Sequence, residues 1–148
     1  MIIRTYSDRD KNEVRELVEE ILDRIFNKDP RENKLLKEFE SNNGYSLFLV
    51  VEVENEGTKK IIGTVGLKPN KNGVVRLKRL YLDEEYSGRG IAQRLFDQCI
   101  GFSRAKEYNK MIFQSYPIMS KVQSFLRKNG FKELDKGDPE MIYFERDL

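Results

Sequence analysis

From position 77 to position 92 the chain reads Leu77-Lys78-Arg79-Leu80-Tyr81-Leu82-Asp83-Glu84-Glu85-Tyr86-Ser87-Gly88-Arg89-Gly90-Ile91-Ala92. A strand pattern runs into a short glycine-containing loop, and the loop opens directly into an apolar helical pattern. The N-terminus of a helix leaves its first N–H groups without intrahelical partners, and the helix dipole favours an anion there. Gly88 and Gly90 lack Cβ atoms, so a phosphate can approach the backbone and the chain can adopt positive φ. Arg89 adds a mobile charge nearby. A pyrophosphate is the natural occupant of such a corner. The same Gly-x-Gly also suits an ordinary turn, and these residues alone do not separate the two readings. It is not a P-loop, because no Gly-x-x-x-x-Gly-Lys-Ser/Thr occurs. It is not a dinucleotide fingerprint either, since the third glycine is missing and the preceding strands form a meander.

Other chemistry is bounded by what the chain lacks. Histidine is absent and cysteine occurs once, as Cys99. Ser-His and Cys-His nucleophilic mechanisms are thereby excluded, along with any intrachain disulfide or cysteine metal cluster. No metal site is expected. Acid–base work falls to carboxylates, Tyr, Lys, Cys or water. The 27 Lys and Arg nearly balance the 25 Asp and Glu, a formal net charge of +2, which argues against nucleic acid as the main partner. No stretch approaches the ~20 apolar residues of a membrane span, and the N-terminus lacks a signal-peptide core. The expected setting is the cytoplasm, as a monomer or homodimer.

The elements that must hold this corner can be read in order. The chain has 148 residues, 39% hydrophobic and 35% charged, which fits one compact domain over 1–148. Residues 2–6 read as a strand, and Ser7 caps a helix with Asp10 three residues on. Val14, Leu17, Val18, Ile21, Leu22 and Ile25 form its apolar stripe. Asp29-Pro30 restarts a helix through Glu32, Leu35, Leu36 and Phe39, and Asn42-Asn43-Gly44 turns the chain. Strands follow at 45–54, 60–68 and 74–82, joined by Glu56-Gly57 and Lys71-Asn72-Gly73 as an antiparallel meander. The pattern then switches to a helix over 89–107, with Ile91, Leu95, Phe96, Cys99, Ile100 and Phe102 inward. A strand at 110–115 comes next. Pro117 opens another helix, with Ile118, Val122, Phe125 and Leu126 inward, ended by Asn129-Gly130. Strands at 131–135 and 140–147 close the chain. The order β-α-α-β-β-β-α-β-α-β-β predicts an α/β (α+β) fold: a mixed, mostly antiparallel sheet of about seven strands with helices on both faces.

Leu80-Tyr81-Leu82 followed by Gly88-Arg89-Gly90-Ile91-Ala92 resembles the coenzyme A motif of the GNAT superfamily, Arg/Gln-x-x-Gly-x-Gly/Ala. Phe125-Leu126-Arg127-Lys128-Asn129-Gly130-Phe131 resembles that family's closing helix and its Gly-Phe ending. The element order agrees across nearly the whole chain. The stretch 77–131 is similar to GNAT domains that occur fused to MarR-type regulators. The resemblance implies an N-acetyltransferase that moves an acetyl group from acetyl-CoA to an amine by direct attack in a ternary complex. The amides around Ser87, Gly88, Arg89, Gly90, Ile91 and Ala92 would hold the pyrophosphate. The backbone of Leu80, Tyr81 and Leu82 would bind the pantetheine arm like an added strand. A β-bulge would splay that strand from its neighbour. The acceptor, a small-molecule or peptide amine, would bind where the first two helices and the last strands cross the splay.

Four positions depart from the family pattern. Ser87 stands where Arg or Gln usually begins the motif. Arg76 stands where many members carry a glutamate base, Leu126 where many carry the tyrosine acid, and Met119 where an asparagine often touches the coenzyme. Tyr116 is the candidate substitute acid, against packing at the start of a helix. Tyr81 suits either the acceptor pocket or the core. Glu84 and Glu85 suit either an amine relay or a solvated turn. Arg76, Lys78 and Arg79 suit an acidic acceptor, the coenzyme's 3′-phosphate or an exposed strand face. Cys99 lies on an apolar stripe and reads as inert core. A non-catalytic acyl-CoA-binding or sensing module is the alternative, and a nucleotide- or RNA-binding domain on the same loop a third.

Overall fold

The computed structural model describes residues 1–27, 29 and 44–148. The second helix expected through Leu35, Leu36 and Phe39, and Asn42 and Asn43 of the turn after it, lie outside the described residues. The elements are β1 (Ile2–Thr5), α1 (Lys11–Phe26), β2 (Leu47–Asn55), β3 (Thr58–Pro69), β4 (Val74–Leu82), α2 (Ile91–Ala105), β5 (Lys110–Ser115), α3 (Ser120–Lys128), β6 (Lys132–Leu134) and β7 (Ile142–Asp147). Among the described residues they build one seven-stranded sheet in the order β1-β2-β3-β4-β5-β7-β6. β4 and β5 pair in parallel and every other pair is antiparallel. The expected mixed sheet with helices on both faces is what forms.

Two apolar clusters flank the sheet. Ile91, Leu95, Phe96, Cys99 and Ile100 of α2 and Leu126 of α3 pack on Leu67, Val75, Leu77, Met111 and Phe144 on one face. Val14, Leu17, Val18, Leu22 and Phe26 of α1 pack on Phe48, Val50, Ile61, Tyr81 and Tyr116 on the other. Buried apolar area of this kind is the main force holding the layers together.

The entrance to α1 is fixed by charge. Asp10 accepts two hydrogen bonds from the Arg4 guanidinium, 2.8 Å each, and a third of 2.8 Å from the Ser7 N–H. The predicted Ser7–Asp10 pairing is therefore present, with a 3₁₀ turn over Asp8–Asp10 before the helix proper. The Arg4 hydrogen bonds hold the Asp10 carboxyl below the usual carboxylate range, against the opposing effect of burial.

Two helix starts differ from expectation. The helix predicted from 89 begins at Ile91, because Gly90 holds φ +76° and cannot be helical. The helix predicted from Pro117 begins at Ser120. Ile118, expected inward, is 46% exposed. The end of α3 fits the sequence: Phe131 N–H donates to the Leu126 carbonyl and Gly130 N–H to that of Arg127, with Gly130 at φ +84°. No helix among the described residues is long and apolar enough to cross a membrane.

Candidate functional site

The site starts from a break in strand alternation. Val75 and Leu77 pack in the α2–α3 cluster, and so do Leu80 and Leu82. Strict alternation would send 80 and 82 to the opposite face from 75 and 77. One extra residue restores them. Thr64 pairs with Tyr81 and Gly66 with Lys78, so Arg79 and Leu80 stand together opposite the single residue Val65. This is a β-bulge. Arg79 carries it in the left-handed region, φ +59°, a conformation few non-glycine residues adopt. Thr64 Oγ1 donates a buried 2.7 Å hydrogen bond to the Arg79 carbonyl. The Arg79 Nε donates to the Tyr45 hydroxyl at 3.3 Å.

The sheet opens beside the bulge. β4 pairs with β5 only through Val74–Lys110, Val75–Met111 and Arg76–Ile112. Beyond Arg76 the two strands part. β5 continues against β7 to Ser115, while β4 runs on to Leu82 along β3. The edge of β4 from Leu77 to Leu82 thus faces a gap instead of a partner.

A cleft of about 840 Å³ fills this gap. It is walled by Leu80, Tyr81 and Leu82 of β4, by Ser87, Gly88, Gly90, Ile91 and Ala92 of the loop and the start of α2, and by Ile118, Met119, Val122 and Phe125 around α3. The structure therefore gathers eight of the nine residues singled out around the glycine loop into one concavity. Arg89 is the exception. It turns back, with Nη2 on the Glu85 carbonyl at 3.2 Å and its guanidinium over the Tyr86 ring. Ser87 contributes wall but not a free amide: its N–H and hydroxyl both donate to the Glu84 carbonyl, at 3.1 and 2.8 Å.

The loop end of the cleft suits an anion. The first intrahelical bond of α2 is from Arg94 N–H to the Gly90 carbonyl, 3.1 Å. The N–H groups of Ile91, Ala92 and Gln93 precede it and belong to the open end of the helix. Gly88 and Gly90 both hold φ +76°, and a Cβ at either would meet nothing within 4 Å. The backbone there is bare on the cleft side. Lys121 and Lys128 line the same cleft. A coenzyme pyrophosphate fits this donor set and charge.

Glu84 ties the cleft shut at one edge. It accepts from Arg24 of α1 at 2.6 Å and pairs with Lys121 of α3 at 3.7 Å, and all three line the opening. Its partners are thus cations of the protein. Glu85 instead donates its N–H to Asp83 Oδ1 at 3.1 Å in the turn after β4.

The expected catalytic positions fall elsewhere. Leu126 is 0% exposed beneath α3. Tyr116 is 7% exposed in the α1-side cluster, its ring edge-on to Phe26 at 5.7 Å, and it is not part of the cleft wall. Its backbone is pinned instead: buried Gln123 donates to Ser115 Oγ at 3.2 Å and to the Tyr116 and Pro117 carbonyls at 3.0 and 3.2 Å. That bracket shapes the Pro117–Met119 turn. Burial alone pushes the Cys99 thiol up to about 12, which keeps it protonated and unreactive.

Sequence reasoning missed Thr64, Gln123, Arg24 and Lys121. Thr64 and Gln123 read as unremarkable polar residues, and their partners are main-chain atoms that no residue pattern marks. Arg24 and Lys121 meet Glu84 only through tertiary contact.

The sequence model of the acetyltransferase (GNAT) family matches residues 12–131. The chain belongs to that family. It is 32% identical over 93 residues to human N-acetyltransferase 8B, covering 60% of this chain and 39% of that protein. It is 30% identical over 104 residues to human N-acetyltransferase 8, covering 67% and 44%. The chain thus spans less than half the length of these curated relatives. Among solved structures it resembles a GNAT acetyltransferase of Staphylococcus aureus Mu50 (TM-score 0.82, 24% identity, 99% of this chain and 98% of that one). It also resembles the PaiA N-acetyltransferase of Thermoplasma acidophilum in complex with coenzyme A (TM-score 0.78, 24% identity, 99% and 98%). At that identity the likeness speaks to the fold.

Proposed function

We propose that this chain is an acetyl-CoA-dependent N-acetyltransferase. The observation that carries the reading is the opening of the sheet at Arg76 and Ile112 beside a bulged β4, leading to a glycine corner at the start of α2. Gly88, Gly90 and the amides of Ile91, Ala92 and Gln93 hold the pyrophosphate. The free edge of Leu80–Leu82 takes the pantetheine arm as an added strand. The thioester then lies toward the apex of the gap. The complex of a structural relative with coenzyme A supports this choice of donor.

The protein's part in the chemistry is positional. A neutral amine attacks the thioester carbonyl, an N–C bond forms, and the C–S bond breaks. The nitrogen loses one proton to solvent and the departing thiolate takes one. Holding both reactants in line supplies much of the acceleration, and a β4 N–H at the bulge polarises the carbonyl oxygen. A thiol of pKa about 8.5 leaves without a dedicated acid. Tyr116→Phe tests the one candidate donor: a fall in turnover at unchanged coenzyme affinity gives the hydroxyl that role, and unchanged turnover removes it.

Buried Leu126 at the usual acid position favours a second reading, an acyl-CoA sensor without turnover. One experiment separates the readings. Thermal shifts with acetyl-CoA, CoA, ATP and NAD are followed by thiol release across a panel of amines. Stabilisation by the two coenzymes with turnover supports the enzyme. Stabilisation without turnover supports the sensor. Stabilisation by ATP alone overturns both.

A further inference from the structure

The apex of the gap carries an unusual charge. Arg76 is the last β4 residue paired with β5. Its neighbours Val75 and Leu77 point into the α2–α3 cluster, so alternation sends its side chain to the α1 face. That is also the face of Tyr81, which packs in the α1-side cluster and lines the cleft. Arg76 Nε is buried and has no hydrogen-bond partner among the described residues. Leaving a guanidinium donor desolvated and unpaired is costly, and such groups in native structures call for a ligand or a partner.

Among the described residues, cations stand next to Arg76. Lys68 of β3 stands directly opposite Arg76 in register. Lys78, paired with Gly66, and Arg79, which donates to the Tyr45 hydroxyl, follow on β4, and both are engaged in interactions of their own. The nearby carboxylates are engaged: Asp138 accepts from the Tyr143 hydroxyl at 2.9 Å, and Glu145 pairs with Lys110 at 3.2 Å. A cationic acceptor such as a polyamine would meet like charge here. An acceptor bearing a negative group would meet a planar fork suited to bidentate capture of a carboxylate.

Accepting the acetyltransferase reading, on which this step rests, we infer that Arg76 anchors a carboxylate of the acceptor. The amine substrate is then of the amino-acid class, with its carboxylate held at the apex and its nitrogen turned toward the thioester. The same residue explains the missing glutamate base. A carboxylate there would repel this acceptor, and an amino nitrogen can release its proton to water once it arrives neutral.

The test uses the full chain and a panel of α-amino acids, each paired with its own carboxamide, plus spermidine. At least one amino acid should be acetylated with kcat/KM ten-fold or more above its carboxamide, and spermidine should be a poor acceptor. Arg76→Gln should erase that preference through KM, and Arg76→Lys should retain part of it. The thermal shift given by CoA should be unchanged in both variants, which also shows that they fold. Preferred acceptors without a carboxylate, or a preference that survives Arg76→Gln, overturn the inference. If nothing is turned over, calorimetry of the amino acids against the CoA complex decides, and absence of carboxylate-dependent binding overturns it as well. Failure of CoA itself to bind is a different result: it removes the parent reading, and this inference with it.

Discussion

The hydroxyl of Thr64 holds the carbonyl of Arg79 at 2.7 Å in the buried middle of the sheet. This bond crosses from β3 to the one β4 residue with φ +59°, so it fixes the bulge that returns Leu80 and Leu82 to the α2–α3 face. Thr64→Val keeps the shape and removes the donor. The orphaned carbonyl should cost about 1–3 kcal/mol of stability, read by denaturant unfolding. Because the bulge also sets the free edge of β4, affinity for CoA should fall about ten-fold, the equivalent of 1.4 kcal/mol. A loss of stability with no loss of affinity would show that the bulge does not shape the cleft.

How far the sequence revealed this arrangement depends on which atoms carry it. The glycine corner was legible as a strand-to-helix turn from Gly88, Gly90 and the apolar helical run after them, while its phosphate role came only with the family resemblance. The splay and its β-bulge were expected only from the family resemblance. The residue that makes the bulge was not legible. Arg79 is only 6% exposed, whereas a charged residue in a strand ordinarily reads as surface. Ile118 misled in the opposite sense: an apolar residue after proline reads as core, but Gln123 holds the turn so that it lines the cleft. Pattern reports burial in regular elements, and these residues act at irregularities.

Gly90 should separate the coenzyme cradle from the fold. Its φ of +76° disfavours any side chain by about 1–2 kcal/mol, yet a Cβ there meets nothing within 4 Å. Gly90→Val should therefore fold, with a modest drop in melting temperature. The added methyl groups occupy the space a diphosphate needs, so the CoA-induced thermal shift should vanish. An undiminished shift would place the phosphates elsewhere.

Asp10 should mark the acid limit of the fold. Its hydrogen bonds from Arg4 hold the folded carboxyl below the ordinary value near 3.8. The unfolded chain then takes up that proton first as pH falls. The stability due to this pair is fully present above about pH 5 and drains away as pH drops through the lowered folded value. Asp10→Asn should lower stability at pH 7 by about 1–2 kcal/mol, discounted because Arg4 is partly exposed. The variant and the parent should converge in urea titrations as pH falls through that lowered folded value. A constant gap across the whole range would assign the loss to packing instead of charge.

Gln123 tests whether the turn between β5 and α3 belongs to the working site. Its amide reaches Ser115 Oγ and two consecutive carbonyls while buried. Gln123→Leu conserves volume but strips these acceptors of a donor, which should cost about 1–3 kcal/mol. The consequence should be local, because Ser115 Oγ keeps its own 2.9 Å bond to the Tyr116 carbonyl and β5 keeps its pairing with β7. What loosens is the Pro117–Met119 segment, and Ile118 and Met119 are cleft wall. The phosphate donors, the amides of Ile91, Ala92 and Gln93, sit on α2 and do not depend on that turn for their geometry. CoA affinity should therefore change little, while KM for the acceptor rises several-fold. A loss confined to CoA affinity would mean that the turn guards the coenzyme and that the acceptor approaches from another side.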